Sequence, residues 1–339
     1  MSESKAWIAG TSGTKLTPDE IAFFADERPW GFILFARNVS ERAQIEDLCG
    51  HLRHVVRRDD APILIDQEGG RVQRLRPPLA PDYPAGAALG ALYRSDEELG
   101  LRAAWLLSRL HAFDLLKLGI DVDCLPVLDV PVEGANDVIG ARAYAKEPAI
   151  VAAMGAAAAE GLLAGGMLPI MKHIPGHGRA FADTHHELPT VTTPFDDLAE
   201  HDFAPFKALA HLPMAMSAHV IFSAIDPQLP ATTSGKVVEE VIRGHIGFEG
   251  LLMSDDVSMN ALSGDYVDRS KAIYAAGLDM VLHCHGIMDQ MRAVASVAPD
   301  LQGRTQERAR QALACRRKPD ACIEEELREE FGQMFEAVA

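Results

Sequence analysis

Eight short apolar runs recur along this chain, each pair separated by enough residues for a helix, and that spacing admits few folds. In order they are AWIAG (6–10), GFILF (31–35), PILID (62–66), IDVDC (120–124), LPIMK (168–172), PMAMSA (213–218), LLMSD (251–255) and DMVLH (279–283). Most are nearly continuous in hydrophobicity, as expected of parallel strands covered on both faces. Helical patterns lie between them. Thr17-Pro18-Asp19-Glu20 is a capping box with proline at the first helical position. Glu41 to Arg58 repeats apolar residues at the helical period through Ile45, Leu48, Leu52 and Val55, and Glu97–Leu118, Ala149–Ala164 and Lys236–His245 behave likewise. Alternating strands and helices imply βαβ units and a parallel sheet. Eight of them in 339 residues predict a single-domain α/β chain, residues 1–339, folded as a (β/α)8 barrel rather than as an open doubly wound sheet. The Ala-rich stretch 152–159 predicts a tightly packed helix. Helices from about residue 304 are expected on the exterior, the last an acidic amphipathic helix from Pro319 whose apolar face carries Cys322, Leu327, Phe331, Met334 and Phe335.

Charge narrows the partners. The formal net charge is −17, which repels phosphate backbones and argues against nucleic acid as a partner. No run of 18 or more uncharged apolar residues exists, so no bilayer-spanning helix and no membrane partner is expected. The N-terminal residues MSESKAWIAG carry one lysine and no apolar core of a secretory signal. Five cysteines without CxxC spacing predict reduced, mostly buried thiols and a cytoplasmic location.

In a parallel barrel the site is built at the C-terminal ends of the strands. Those ends carry Asp66 after PILI, Lys172-His173 after LPIM, His219 after MAMSA, Asp255-Asp256 after LLMS, and His283 and His285 at the eighth run. An ionisable residue directly after four or five apolar ones is costly to bury unpaired, by several kcal/mol, so its recurrence on most strands marks a site. Asp66-Gln67-Glu68-Gly69-Gly70-Arg71 is a polar turn whose two glycines would let the backbone approach a ligand, or an ordinary β-to-α turn. A carboxylate at Asp255 can act as nucleophile, metal ligand or sugar contact; Asp256 should point differently, leaving one of the two in the pocket.

The richest segment is Lys172-His-Ile-Pro-Gly-His-Gly-Arg-Ala-Phe-Ala-Asp183-Thr-His185-His186-Glu-Leu-Pro189. Pro175, Gly176 and Gly178 make it a loop, long enough to fold over a barrel mouth. Asp183 and His185, two apart, share one face of an extended stretch, where the carboxylate can accept from the imidazole and raise its pKa toward a general acid's range. The spacing equally admits a surface pair with no role. His173, His177, His185, His186 and His283-Cys284-His285 raise the question of zinc, but metal-dependent barrel hydrolases commonly begin with His-x-His on the first strand, and WIAGTSG lacks it; no metal is expected. No dinucleotide fingerprint or phosphate-binding P-loop is present, so no cofactor is expected either.

KHIPGHG followed by DTH and LP resembles the KH(F/I)PGHG…D(S/T)H…P loop of family 3 glycoside hydrolases, in particular the bacterial β-N-acetylhexosaminidases of the NagZ type. Asp66-Gln-Glu-Gly-Gly-Arg-Val-Gln-Arg74, Val138-Ile-Gly-Ala-Arg142-Ala-Tyr144, Pro-Met-Ala-Met-Ser-Ala-His219 and Ser254-Asp-Asp-Val-Ser-Met259 are similar to further blocks of that family, from about Trp7 to His283. Thr184, Ile174 and Ala143 depart from the residues usual there, and none of these changes removes a charged group.

The resemblance implies a one-domain barrel that removes terminal β-linked N-acetylglucosamine with retention of configuration. It implies Asp255 as nucleophile, His185 as acid/base oriented by Asp183, and Asp66, Arg74, Arg142, Lys172 and His173 as sugar-binding residues. It also implies peptidoglycan fragments, GlcNAc-anhydroMurNAc peptides, as the small-molecule carbohydrate substrate in cell-wall recycling. A histidine acid/base departs from the usual pair of carboxyls. It leaves no second anion beside Asp255, so phosphorolysis stays open beside hydrolysis. Other readings of the residues are a sugar-binding sensor without turnover and a metal-dependent hydrolase using the histidine cluster.

Overall fold

A computed structural model describes residues 4–180 and 188–336. Asp183 and His185, with His186, therefore lie outside the described residues. Eight parallel strands close into a barrel: β1 (Lys5–Gly10), β2 (Pro29–Leu34), β3 (Ile63–Ile65), β4 (Val122–Asp123), β5 (Leu168–Ile174), β6 (Met214–Ser217), β7 (Leu251–Asp256) and β8 (Met280–His283). Each pairs with its neighbours in chain order, and β8 returns to β1 through Trp7↔Val281 and Ile8↔Leu282. All eight apolar runs are barrel strands.

Alternation explains why the runs look continuous. One parity of each strand (Ala6 and Ile8, Ile33, Leu64, Val122, Leu168 and Ile170, Met214 and Met216, Leu251 and Met253, Met280 and Leu282) forms a single buried cluster inside the barrel. The opposite parity (Trp7 and Ala9, Phe32 and Leu34, Ile63 and Ile65, Met171, Ala215, Leu252, Val281) packs outward against the helices in a second cluster. Both faces are dry, so both parities are apolar.

The crossovers hold α1 (Pro18–Glu27), α2 (Arg42–Val55), α3 (Gly86–Ser95), α4 (Glu97–Leu116), α5 (Pro148–Ala164), α6 (Phe195–Glu200), α7 (Ala204–Ala208), a helical segment Val237–His245, and α8 (Tyr266–Ala275); α9 (Met288–Ala295), α10 (Gly303–Ala314) and α11 (Glu324–Glu336) follow β8. Thr17 caps α1 as its sequence specifies: its hydroxyl accepts from the Glu20 amide at 3.2 Å, and Glu20 accepts from the Thr17 amide at 2.9 Å. The Ala-rich α5 lies tightly on α4; a Cβ on Gly161 would sit 2.3 Å from the Trp105 carbonyl.

Two expectations at the edges need correction. The last helix starts at Glu324, not near Pro319, because Asp320 is held in place beforehand: its amide donates to the Ala164 carbonyl at 2.9 Å and its carboxylate receives Arg109 at 2.7 Å. Cys322 is consequently exposed, as is Cys315, while Cys49, Cys124 and Cys284 are buried. Leu327, Phe331 and Met334 do pack against the body, and Arg328 bonds the Tyr83 hydroxyl at 2.9 Å beside Asp114. Among the described residues no helix is long and apolar enough to cross a membrane.

Two glycines on helices should respond oppositely to the same substitution. A Cβ on Gly90 of α3 would stand 1.6 Å from the Tyr144 carbonyl, whereas nothing lies within 4 Å of one on Gly50 of α2. Gly90→Ala should cost about 1–3 kcal/mol by overpacking, and Gly50→Ala should stabilise by about 0.5–1 kcal/mol through chain entropy and helix propensity. Denaturant midpoints of the two variants check both signs.

Candidate active site

The parity that fills the barrel also equips its mouth. Two residues beyond the last inward apolar position stand Phe35 after Ile33, Asp66 after Leu64, Lys172 after Ile170, Asp255 after Met253 and Cys284 after Leu282. All five line one cavity of about 630 Å³ at the C-terminal ends of the strands, floored by Ile33, Met216 and Leu282. Arg74, Arg142 and His173 line it as well. Six of the eight site residues expected from the sequence therefore meet in one place; Asp183 and His185 lie outside the described residues.

Three short segments bring the remaining cations in. After β3, Gln67–Gly69 and Val72–Gln73 form a small antiparallel ribbon whose turn uses left-handed glycines, Gly69 at φ 94° and Gly70 at φ 59°. These glycines do not line the cavity. A Cβ on Gly69 would lie 2.2 Å from the Pro84 carbonyl, so they serve the turn and its close approach to Pro84 and Ala85, not a ligand. The ribbon folds Arg74 back onto Asp66, Nη2 to Oδ2 at 2.8 Å, while the Gln67 side chain accepts from the amides of Arg74 and Leu75 at 3.0 and 3.1 Å. Arg142 enters on the 3-10 turn Gly140–Arg142, and Arg71 ties the ribbon tip to the same loop through the Asp137 carbonyl at 2.7 Å.

The charges form a chain of alternating sign. Arg74 holds Asp66; Lys172 Nζ reaches Asp66 Oδ1 at 2.8 Å and Glu68 Oε1 at 2.6 Å; Glu68 in turn takes Arg142 through Nε and Nη2, each at 2.8 Å. Burial alone would raise the pKa of Asp66, but Lys172 and Arg74 hold it well below the carboxylate range. Burial likewise opposes ionisation of Glu68, yet Arg142 and Lys172 bring it down to about 2. Lys172 is raised: burial would lower it, and the two carboxylates outweigh burial. Such a wall offers both donors and acceptors, which suits the hydroxyl groups of a sugar.

His173 and the loop beyond it hang from Asp129. Its Oδ2 meets His173 Nδ1 at 2.6 Å, and its Oδ1 accepts from the His173 and His177 amides at 3.2 and 2.7 Å. An ionised Asp129 takes the Nδ1 proton of His173 and so leaves Nε2 as the second ring nitrogen of a residue that lines the cavity. His177, also in the lining, is pushed by burial and by His173 down to about 4 and is neutral at pH 7.

Asp255 and Asp256 divide differently than expected. Both line the cavity, but their carboxylates are not equivalent. Asp256 is committed to local backbone, accepting from the Ser258 amide at 3.0 Å, the Cys284 amide at 3.2 Å and the Ser258 hydroxyl. Asp255 Oδ1 accepts from the Asp256 amide at 2.7 Å. Burial would raise the Asp255 pKa, but His173, His219, that amide and Lys172 together hold it below the ordinary value. It is an ionised, half-buried carboxylate at the cavity wall. His219 does not line the cavity; its Nε2–H donates to the Asp256 carbonyl at 3.0 Å, and its Nδ1 lies 2.8 Å from the Thr232 hydroxyl.

Glu68 and Asp129 do not stand out in the sequence as site residues. Asp129 carries the same signal as Asp66, an acid closing an apolar run (Leu125-Pro-Val-Leu-Asp129), but periodicity puts the fourth strand at 120–124. In the structure the chain stays beside β5 past β4, with the Leu128 amide donating to the Lys172 carbonyl at 2.7 Å. Glu68 has no such signal, since only the ribbon turns it inward. Among the described residues no group of three or more His, Cys, Asp or Glu side chains is placed to hold a metal ion.

Comparison with known proteins agrees with this geometry. The glycosyl hydrolase family 3 N-terminal domain profile matches residues 16–314. A β-hexosaminidase of Alkalilimnicola ehrlichii is 40% identical over 282 residues, 82% of this chain and 80% of that protein. One of Bordetella avium is 38% identical over 282 residues, with the same shares covered. The crystal structure of NagZ from Neisseria gonorrhoeae in complex with N-trifluoroacetyl-D-glucosamine superposes with a TM-score of 0.85 at 29% identity, covering 99% of this chain and 97% of that one. A barrel of eight parallel strands with an acid-lined mouth, matched over most of its length in sequence and nearly all of it in structure, belongs to glycosyl hydrolase family 3, and the chain is a glycoside hydrolase.

Proposed function

We propose that this protein is a retaining, exo-acting β-N-acetylglucosaminidase. The observation that carries the reading is Asp255: an ionised carboxylate at the wall of the cavity, beside the alternating chain of Arg74, Asp66, Lys172, Glu68 and Arg142. The similarity to β-hexosaminidases and to a NagZ with a bound N-acetylglucosamine analogue supports the sugar. Exo action is carried over from the family resemblance.

In this reading Asp66, Arg74, Arg142, Lys172 and His173 bind the terminal sugar. Asp255 attacks the anomeric carbon and forms a glycosyl ester, while His185, oriented by Asp183, gives its proton to the departing oxygen. The imidazole, now neutral, takes a proton from water, and the hydroxide displaces Asp255 with a second inversion. The imidazole that has given up its proton is neutral and so adds no anion to repel Asp255 when the second displacement frees its carboxylate, and the positive surroundings of Asp255 favour that carboxylate as leaving group. The leaving partner we propose is the anhydromuramyl peptide of peptidoglycan fragments, in cytoplasmic cell-wall recycling. That assignment rests on the family resemblance.

Purified protein should release chromogen from a β-N-acetylglucosaminide and not from the matching β-glucoside, with equal rates with and without EDTA and with water rather than phosphate as acceptor. Release from neither sugar would overturn the reading in favour of sugar binding without turnover. Loss with EDTA would point to a metal, and a sugar phosphate as product to phosphorolysis. Asp255→Ala should fold and bind N-acetylglucosamine with kcat down by roughly a thousandfold or more; near-normal turnover in that variant would remove Asp255 as nucleophile.

A further inference from the structure

We propose that Glu68 is a positioning residue: it holds Lys172 and Arg142 in the place and orientation in which they meet the sugar. The inference rests on the reading of Asp66, Lys172 and Arg142 as sugar-binding residues. Glu68 itself does not line the cavity, and its side chain is 3% exposed, whereas Asp66, Lys172, Arg74 and Arg142 all reach the cavity.

Its two oxygens are fully used. Oε1 receives Lys172 at 2.6 Å and Arg142 Nη2 at 2.8 Å, and Oε2 receives Arg142 Nε at 2.8 Å. The two cations come from distant parts of the chain, Lys172 from β5 and Arg142 from the 3-10 turn, and Glu68 is the group that touches both. Its own backbone is held by the ribbon, through the Gln67 amide bonds and the approach of Gly69 to Pro84. The carboxylate is therefore a rigid anchor with a two-point grip on the planar guanidinium, which fixes the orientation of Arg142 as well as its position.

Charge balance shows what the anchor prevents. Arg74, Lys172 and Arg142 meet two carboxylates, Asp66 and Glu68, in one chain of contacts that is buried at Lys172 and Glu68 and half-buried at its ends. Without the charge of Glu68, Lys172 is left with an Asp66 that Arg74 already holds, and Arg142 loses the carboxylate that grips it. Arg142 keeps a bond to the Val138 carbonyl at 3.2 Å, and Lys172 keeps only Asp66 among the carboxylates that hold it. The Lys172 ammonium would be held from the Asp66 side alone, and the Arg142 guanidinium plane would be free to turn. A group that acts this way alters how tightly the sugar is held, not the step at its anomeric carbon.

The experiment uses Glu68→Gln, which keeps the shape and removes the charge. In a folded variant, KM for the chromogenic β-N-acetylglucosaminide should rise about tenfold or more and affinity for free N-acetylglucosamine should fall by a similar factor, with kcat within about threefold. Combined with Arg142→Ala, the same change should have a smaller effect, because a partner through which Glu68 acts is already gone. Values within about twofold of the parent, or an undiminished factor in the Arg142→Ala background, would overturn the proposal. Should Glu68→Gln not fold, Glu68→Asp decides: it keeps the charge but withdraws it by one methylene, so weaker sugar affinity in a folded protein supports the role and unchanged affinity overturns it. A parent protein inert on the substrate would instead overturn the sugar-site reading on which the proposal stands.

Discussion

The barrel's alternation of side chains is the constraint on which everything else hangs. Each strand must send every second residue inward, and a closed ring of eight leaves the inner residues nowhere to go but against one another. At the bottom and middle of the barrel that position must be apolar. At the C-terminal rim the same position faces the cavity, so the rule that puts Leu64, Ile170 and Met253 inside puts Asp66, Lys172 and Asp255 at the mouth. Fold and site are thus one pattern read at two depths.

The second constraint is electrostatic. Withdrawing five charged side chains from water, Lys172 and Glu68 almost completely, is costly, and a layer of apolar residues would serve stability at least as well. The chain keeps them in strict alternation, Arg74, Asp66, Lys172, Glu68 and Arg142, so that every carboxylate oxygen has a donor. What such a layer provides is a fixed set of donors and acceptors held in place before any ligand arrives. Asp129 has a parallel role on the segment that follows β4, fastening His173 and the His177 amide with a single buried carboxylate.

Much of this was legible in the sequence. All eight strands, the capped start of α1 at Thr17, and the rim residues Asp66, Lys172, His173 and Asp255 follow from periodicity and from where an apolar run meets an ionisable residue. The failures have physical causes. Cys322 stays out of α11 because a distant arginine, Arg109, claims Asp320 just before the helix. The glycines after Asp66 suggest a ligand, and their real neighbour is the Pro84 carbonyl, a contact that no local pattern encodes. Asp129 escapes because β4 is only two residues long while the chain remains alongside β5 well past it.

By itself the sequence determined what depends on neighbours along the chain: the period of each element, the caps, and the parity that decides which face of a strand an acid occupies. Tertiary structure decided what depends on ring closure. Lys172 is 106 residues from Asp66, and Arg142 is 74 from Glu68, yet all four form one network, because closing the barrel brings the ends of its strands around a single mouth. Which carboxylate is tied to backbone and which is left to the cavity, as between Asp256 and Asp255, is likewise set by partners such as the Cys284 amide, delivered from the next strand. Hydrogen-bond partners and potentials add up in space rather than along the chain, and the folded barrel is where that sum is made.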